Sequence, residues 1–272
     1  MGKKVSAIPT VLTIAGSDSS GGAGLQADLK TITCLGCYGM SVVTALTAQN
    51  TLGVQDIFSV SAEFVEKQIE SVCSDIPPMA VKIGMIYDIP QIQKIAEMLR
   101  KFSIPFVVID PVMFSTSGDS LLKKQALNTL QQVLFPLSDL LTPNIPEAER
   151  LLETSIDTSI EMEQAAKTLS QRYHTAVLLK GGHSAERAVD FLSSERGLQR
   201  LREKPIETEN THGTGCTLSA GIAAYVAKGY TLEDSVFKAK AYLTGALKAG
   251  LEIGHGNGPL MHNYCIRKEE NS

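Results

Sequence analysis

No apolar run in the 272 residues approaches the length of roughly 20 that a bilayer-spanning helix needs. The beginning of the chain, with Gly2-Lys3-Lys4, lacks a secretory h-region and a small-residue cleavage site. Gly2 with Ser6 does meet the short acylation pattern, which is too loose to carry a lipid assignment. A membrane partner is therefore not expected. Basic clusters are also scarce. The formal net charge is −4, Lys3-Lys4 is short, and the Arg196–Lys204 stretch is interleaved with acids. Phosphate-backbone binding rests on clustered Lys and Arg, so no nucleic-acid partner is expected either. The five cysteines are few and odd in number, which suits a reducing cytoplasm better than a disulfide framework. Cys34-Leu-Gly-Cys37 has metal-pair spacing, but no second Cys or His pair follows it, so two small residues at a helix end explain it better than zinc.

Two further absences bear on nucleotide chemistry. No Lys follows the second glycine of a Gly-x4-Gly spacing, which removes a Walker A loop. Gly22-Ala-Gly24-Leu-Gln-Ala27 looks like a dinucleotide fingerprint, but residues 31–55 contain no Asp or Glu to bind a ribose. A nicotinamide-dependent oxidoreductase is not expected on that ground.

What is present is a regular alternation. Val11–Ala15, Ser41–Ala48, Val54–Val60, Ala80–Ile83, Phe106–Asp110, Asp139–Thr142 and Ala176–Lys180 read as short apolar strands. Amphipathic segments 62–74, 90–102, 123–134 and 161–173 lie between them, and 214–228 and 231–249 read as two closing helices. Residues 185–206 look like an edge hairpin, and the tail after about 263 is expected to fray. Continuous apolar strands alternating with helices predict an α/β fold whose parallel sheet is covered on both sides. No linker or repeat interrupts the pattern, so one domain is expected. Sites on such a sheet lie at the carboxyl ends of its strands.

Several groups of residues fall there. Residues 210–219, with Gly213, Thr214, Gly215 and Cys216 running into a helical pattern, would aim free N–H groups at an anion. A plain glycine turn before a helix is the competing reading. Asp110 ends an apolar strand, where a carboxylate needs a partner or a cation, unless it serves as a turn former. Asn144 and Glu147 have the spacing of a capping box, yet Glu147 with Asp110 could also share Mg²⁺ through water. Lys180, before Gly181-Gly182-His183, could reach phosphates or simply snorkel. His174, His255 and His262 lack partners at catalytic spacing, and His174 is expected at the surface.

With these pieces in order, the chain resembles the hydroxymethylpyrimidine/phosphomethylpyrimidine kinases of thiamine biosynthesis, within the ribokinase-like superfamily. The resemblance spans roughly residues 10–260 and rests on seven ordered motifs. They are Leu12–Lys30, Ala45–Thr51, Lys82-Ile-Gly-Met85, Asp110-Pro-Val-Met113, Thr142–Ala148, Lys180-Gly-Gly-His183 and Asn210–Ser219.

It implies a three-layer αβα sandwich with a mostly parallel central sheet, and ATP-dependent phosphorylation of a hydroxymethyl aminopyrimidine and then of its monophosphate. It further implies that Gln49 binds the pyrimidine edge, helped by Asp28 and framed by Gly16, Met85 and Val112. An amide and a carboxylate suit the donors and acceptors of that edge. Lys180, Thr208 and His212 would approach ATP; Asp110, Asn144 and Glu147 would organise Mg²⁺; and Gly213–Cys216 would hold the transferring phosphoryl group. A homodimer is also implied.

Cys216 stands where the wider superfamily carries Asp, so a carboxylate general base is not expected there. A thiol at a helix N-terminus could have a depressed pKa and act as base or hydrogen-bond partner. A pyridoxal kinase of the same branch is the nearest rival, with Gln49 as the discriminating position. A catalytically inactive pyrimidine sensor is a second rival, opposed by the full set of phosphate and metal residues.

Overall fold

Alternating strand and helix signals are realised almost element for element in the computed structural model of the chain, which describes residues 8–113, 124–182, 189–204 and 206–266. The order is β1 (Thr10–Ala15), α1 (Gly24–Cys34), β2 (Tyr38–Val43), β3 (Ala45–Asn50), β4 (Gly53–Ser59), α2 (Ala62–Asp75), β5 (Ala80–Ile83), α3 (Ile89–Phe102) and β6 (Val107–Ile109). Then come α4 (Lys124–Thr129), β7 (Leu140–Leu141), α5 (Ile145–Leu152), α6 (Ser159–Tyr173), β8 (Ala176–Leu179), β9 (Val189–Ser194), β10 (Gly197–Arg202), α7 (Thr214–Ala227) and α8 (Leu232–Ala249). Helix starts are written locally: Ser61, Asp88, Thr158 and Thr231 each accept a backbone N–H of the first turn that follows.

Eight strands form one sheet in the order β10-β9-β8-β7-β6-β5-β1-β2. It is parallel from β2 to β8, and β9 and β10 add an antiparallel edge. Because side chains alternate across a strand, each buried strand serves two cores. Leu12, Ile14, Val81 and Ile83 face α2, α3 and α6, whereas Val11, Ala80, Val108 and Leu178 face α1, α7 and α8. That is the expected three-layer arrangement. Strand order reverses at β1, which sits between β5 and β2, and a crevice opens at such a switch point.

Three expectations need correction. Residues 41–48 are not one strand: the chain leaves the sheet at Thr44, and β3 pairs only with β4 in a separate antiparallel hairpin. Thr44 is held by its N–H on Ala15 O, by its hydroxyl on Met85 O and by the amide of buried Gln91 on its carbonyl. The helix read over 123–134 is α-helical only to Thr129 and continues as a π turn over Leu130–Leu134. Phe106, Asp110, Asp139, Thr142 and Lys180 lie just outside the strands they bound. His174 is exposed, in left-handed conformation at the end of α6. Gly2, Ser6, Lys3, Lys4 and His183 lie outside the described residues, as does most of the loop 110–119. No described helix is long and apolar enough to cross a membrane.

Candidate active site

The switch-point crevice is a cavity of about 710 Å³. Its floor is the sheet's carboxyl edge, from which Gly16 follows β1, Met85 follows β5 and Val112 follows β6. Gly16 packs closely on Met85, since a Cβ there would stand 3.0 Å from Met85 Sδ. The β3–β4 hairpin folds over this end and brings Gln49 to the wall. Ser19 fixes the Gln49 backbone twice, its Oγ donating to Gln49 O at 2.8 Å and accepting from Gln49 N at 2.9 Å. The hairpin tip is seated as well, since Thr51 Oγ1 accepts from the amides of His255 and Gly256. Gln49, Gly16, Met85 and Val112, expected to bind the pyrimidine, thus come together.

Asp28 does not join them. Its side chain is fully buried, and its two oxygens accept from Lys82 Nζ at 2.9 and 2.7 Å and from Thr13 Oγ1 at 2.6 Å. A carboxylate enclosed beneath α1 must be paired, and Lys82 pairs it instead of substrate. Lys82 is the residue that reaches the cavity wall, and sequence reading gave it no role. A signal was present: a lysine inside the apolar strand Ala80-Val-Lys-Ile83 demands a buried partner. Burial opposes its charge, but Asp28, Cys216 and Asp110 nearby hold its pKa above the ordinary lysine value.

At the cavity's other end α7 begins. Gly213 is its N-cap in left-handed conformation, φ +84°, with no side-chain cap on the first turn and no acidic residue within it. Gly213, Thr214, Gly215 and Cys216 all line the cavity, as the anion-trap reading requires. A base role for the Cys216 thiol is not what the surroundings favour. Burial, with Asp28 and Asp110 nearby, pushes its pKa up to about 11 against Lys82 and a hydrogen bond from the Gly24 backbone. It remains a thiol at neutral pH.

Asp110, Lys180 and Glu147 converge beside this helix start. Lys180 Nζ lies 2.9 Å from Asp110 Oδ1, which also accepts from Thr142 Oγ1 at 2.9 Å. Asp110 Oδ2 faces Gly215, whose Cβ position is 3.1 Å from it. Burial would raise the Asp110 pKa, but Lys180, Lys82 and those hydrogen bonds hold it below the usual carboxylate value. Asn144 and Glu147 form the full capping box of α5: Asn144 N donates to Glu147 Oε2 at 2.8 Å, and Glu147 N to Asn144 Oδ1 at 2.9 Å. The capping reading therefore holds, and both residues also line the cavity. Burial dominates there, with Lys180 opposing and Asp110 assisting, and lifts the Glu147 pKa to about 7.

The described residues contain no cluster of three or more His, Cys, Asp or Glu with metal-site spacing. Two carboxylates lining the same cavity as the uncapped start of α7 nevertheless fit Mg²⁺, which keeps several waters and takes one or two protein carboxylates.

A second cavity of about 620 Å³ adjoins the first and shares Asn144, Pro146, Lys180, Thr214 and Gly215 with it. Thr208 lies on its wall, where Leu218, Leu243, Leu247 and Ile206 supply an apolar slot. His212, expected beside ATP, is not on this wall. It lines the first cavity, with ring Nε2 2.8 Å from Asp18 Oδ2. Asp18, hidden in the glycine-rich turn 16–24, is the second residue that sequence reading missed.

Comparison with known proteins agrees with this geometry. The family model described as phosphomethylpyrimidine kinase matches residues 18–261. The chain is 47% identical over 93% of its length to a hydroxymethylpyrimidine/phosphomethylpyrimidine kinase of Escherichia coli, covering 97% of that protein. It is also 47% identical, over 93% of its length, to a thiamine biosynthesis bifunctional protein of Geobacter sulfurreducens, of which it spans 52%. Among solved structures, a phosphomethylpyrimidine kinase from Clostridium difficile superposes with TM-score 0.78 at 44% identity, over 87% of this chain and 98% of that one. A pyridoxal kinase from Staphylococcus aureus in complex with ADP superposes with TM-score 0.88 at 32% identity, over 96% of each chain. These neighbours bear out the ribokinase-like expectation.

Proposed function

This chain belongs to the phosphomethylpyrimidine kinase family, and we propose that it phosphorylates 4-amino-5-hydroxymethyl-2-methylpyrimidine and then its monophosphate with ATP, in thiamine biosynthesis. The observation that carries this reading is the seam between the two cavities. Thr214 and Gly215, at the N-terminus of α7, line both, so one anion-binding helix start serves the cavity that holds Gln49 and the adjoining cavity walled by Leu218, Leu243 and Leu247 together. A transferring phosphoryl group needs such a shared point between acceptor and donor.

The acceptor occupies the first cavity, with the Gln49 amide on the pyrimidine edge and Gly16, Met85 and Val112 framing the ring. ATP occupies the second, its base end against the Leu218–Leu243–Leu247 side and its phosphates toward Lys180 and Thr208. Asp110 and Glu147, with Asn144 beside them, would hold Mg²⁺, which would neutralise phosphate charge there. The backbone amides of Gly213, Gly215 and Cys216 take the developing equatorial charge, Thr214 N–H being held by Thr211 O, and Lys180 adds a fixed cation. A loose transfer lessens the need for a strong base, which agrees with Cys216 staying a thiol. The acceptor's proton then leaves late, toward a phosphate oxygen or solvent.

We read the chain as one kinase domain, cytoplasmic and homodimeric. Apolar Leu46 and Phe58, opposed on the exposed face of the hairpin, support a covered surface in the assembly. The close superposition on a pyridoxal kinase keeps vitamin B6 alcohols as a second substrate class. Coupled ATP-consumption assays with the hydroxymethylpyrimidine, beside pyridoxal and pyridoxine, test the assignment. Higher kcat/KM on the pyrimidine is expected. Faster turnover of pyridoxal, or tight pyrimidine binding with no turnover, would overturn it.

A further inference from the structure

We propose that Asp18 and His212 are positioning residues that lock the pyrimidine-side turn to the phosphoryl-side helix start. The inference rests on the kinase reading above and assigns the two residues a role within that reaction. Both are buried, with 1% and 4% of their surfaces exposed, although 194 positions separate them. The Asp18 carboxylate is the hub of residues 18–24. Oδ1 accepts from Ser20 N at 2.9 Å and Ser20 Oγ at 2.7 Å. Oδ2 accepts from Gly22 N at 3.0 Å and Ala23 N at 2.7 Å, and meets His212 Nε2 at 2.8 Å. Burial acts against its charge, but these bonds, the one to His212 foremost, hold its pKa near 2. The hub is therefore ionised throughout the working pH range.

His212 carries the connection across. Its backbone N–H donates to Gly258 O at 3.1 Å, so the loop bearing Asn257, another lining residue of the first cavity, is tied to the same point. The next residue is Gly213, whose left-handed backbone sets the direction of α7. The turns also interlock without space to spare. A Cβ on Gly22 would lie 2.4 Å from His212 Cδ2, and one on Gly213 would lie 1.9 Å from the Gly22 carbonyl oxygen. Neither loop can shift unless the other does. One loop, through Gly16 and Ser19, frames the acceptor, and the other presents the amides that receive the phosphoryl group. Asp18–His212 thus fixes the distance between the attacking hydroxyl and the anion trap. A misplacement of about 1 Å at such a point costs on the order of 100-fold in rate.

Steady-state kinetics on His212→Leu, His212→Gln and Asp18→Asn test the proposal. The glutamine amide can donate to Asp18 roughly where the imidazole does, but it cannot titrate. His212→Leu and Asp18→Asn are expected to lower kcat by about 10-fold to 100-fold, with each KM within about 3-fold of wild type. His212→Gln is expected to recover kcat to within about 3-fold, with an unchanged pH profile. The rate of Cys216 alkylation, read by mass spectrometry without turnover, should rise in His212→Leu and Asp18→Asn and stay near wild type in His212→Gln. If His212→Leu does not fold, Asp18→Asn, which preserves side-chain volume, carries both readouts.

Wild-type kcat in the folded variants would overturn the positioning role. So would a rise in the KM for ATP alone, which would return His212 to nucleotide contact. A His212→Gln variant as slow as His212→Leu, with one limb of the pH profile lost, would make the ring a proton carrier instead. Wild-type enzyme inert toward the pyrimidine would sink the kinase assignment, while the alkylation pattern would still report on the lock.

Discussion

Lys180 and Asp110 form a buried ion pair at the meeting point of the two cavities, Nζ to Oδ1 at 2.9 Å, with only 14% and 3% of their side chains exposed. Removing one partner of such a pair strands the other charge, at a cost of about 3–5 kcal/mol. Lys180→Met should therefore lower the denaturant midpoint as well as weaken ATP binding. Lys180→Met/Asp110→Asn should lose less stability than the sum of the two single changes. Additive losses in chemical denaturation would mean that the pair does not interact.

Gln49 is the residue asked to recognise the substrate edge. Its backbone is held twice by Ser19, so the residue is placed at the cavity wall independently of ligand. Gln49→Leu should raise the pyrimidine KM by about 5-fold to 150-fold, the equivalent of 1–3 kcal/mol for an unpaired polar edge. The KM for ATP should not change. Unchanged pyrimidine kinetics would place the substrate elsewhere.

For Cys216, a pKa pushed up to about 11 by burial predicts slow alkylation at pH 7.5, with the rate climbing toward pH 10 and above. Cys216→Ser should show the same pH–rate profile for turnover as wild type between about pH 6.5 and 8.5, because no thiolate titrates there. A limb that disappears in the serine variant would restore the thiol as a base.

His262, which shares a 2.9 Å hydrogen bond with Thr217 Oγ1 in the first turns of α7, is kept neutral by burial, with nearby Lys30 assisting. Its pKa falls from 6.5 to about 4. The unfolded chain therefore takes up a proton near pH 6.5 that the folded chain refuses until near pH 4. Stability should fall as pH drops through that window, by up to about 3 kcal/mol, and level off below it. Thermal melts at pH 7.5 and 5 should show a larger decrease for wild type than for His262→Gln. Equal decreases would show that this histidine is protonated without penalty.

Most of the frame was legible in the chain itself. Ala80–Ile83 was legible to the residue because a Val- and Ile-bearing run confined between Pro78 and Gly84 is too short for a helix. Asn144 and Glu147 announced α5 because a capping box is local chemistry. The break at Thr44 was not legible. Nothing in Ser41–Ala48 departs from strand character, and the bonds that end β2 come from Gln91 and Ala15, distant in sequence. The site divides in the same way. Gly16, Gln49, Met85, Asp110, Lys180 and Gly213–Cys216 meet in one crevice, as their motifs implied. Asp28 was misplaced because its partner, Lys82, lies 54 residues away, and nothing in sequence says which charge faces the cavity and which neutralises it.

The sequence alone determined the layers, the direction of the sheet and the helix start at Gly213–Cys216, since periodicity, capping and glycine freedom act over a few residues. Only the tertiary structure decided that Cys216 stays protonated, that Lys82 takes up the Asp28 charge, and that His212 turns to Asp18 instead of ATP. Burial and charge pairing depend on what other elements bring within about 4 Å, and that is settled only when the sheet is assembled.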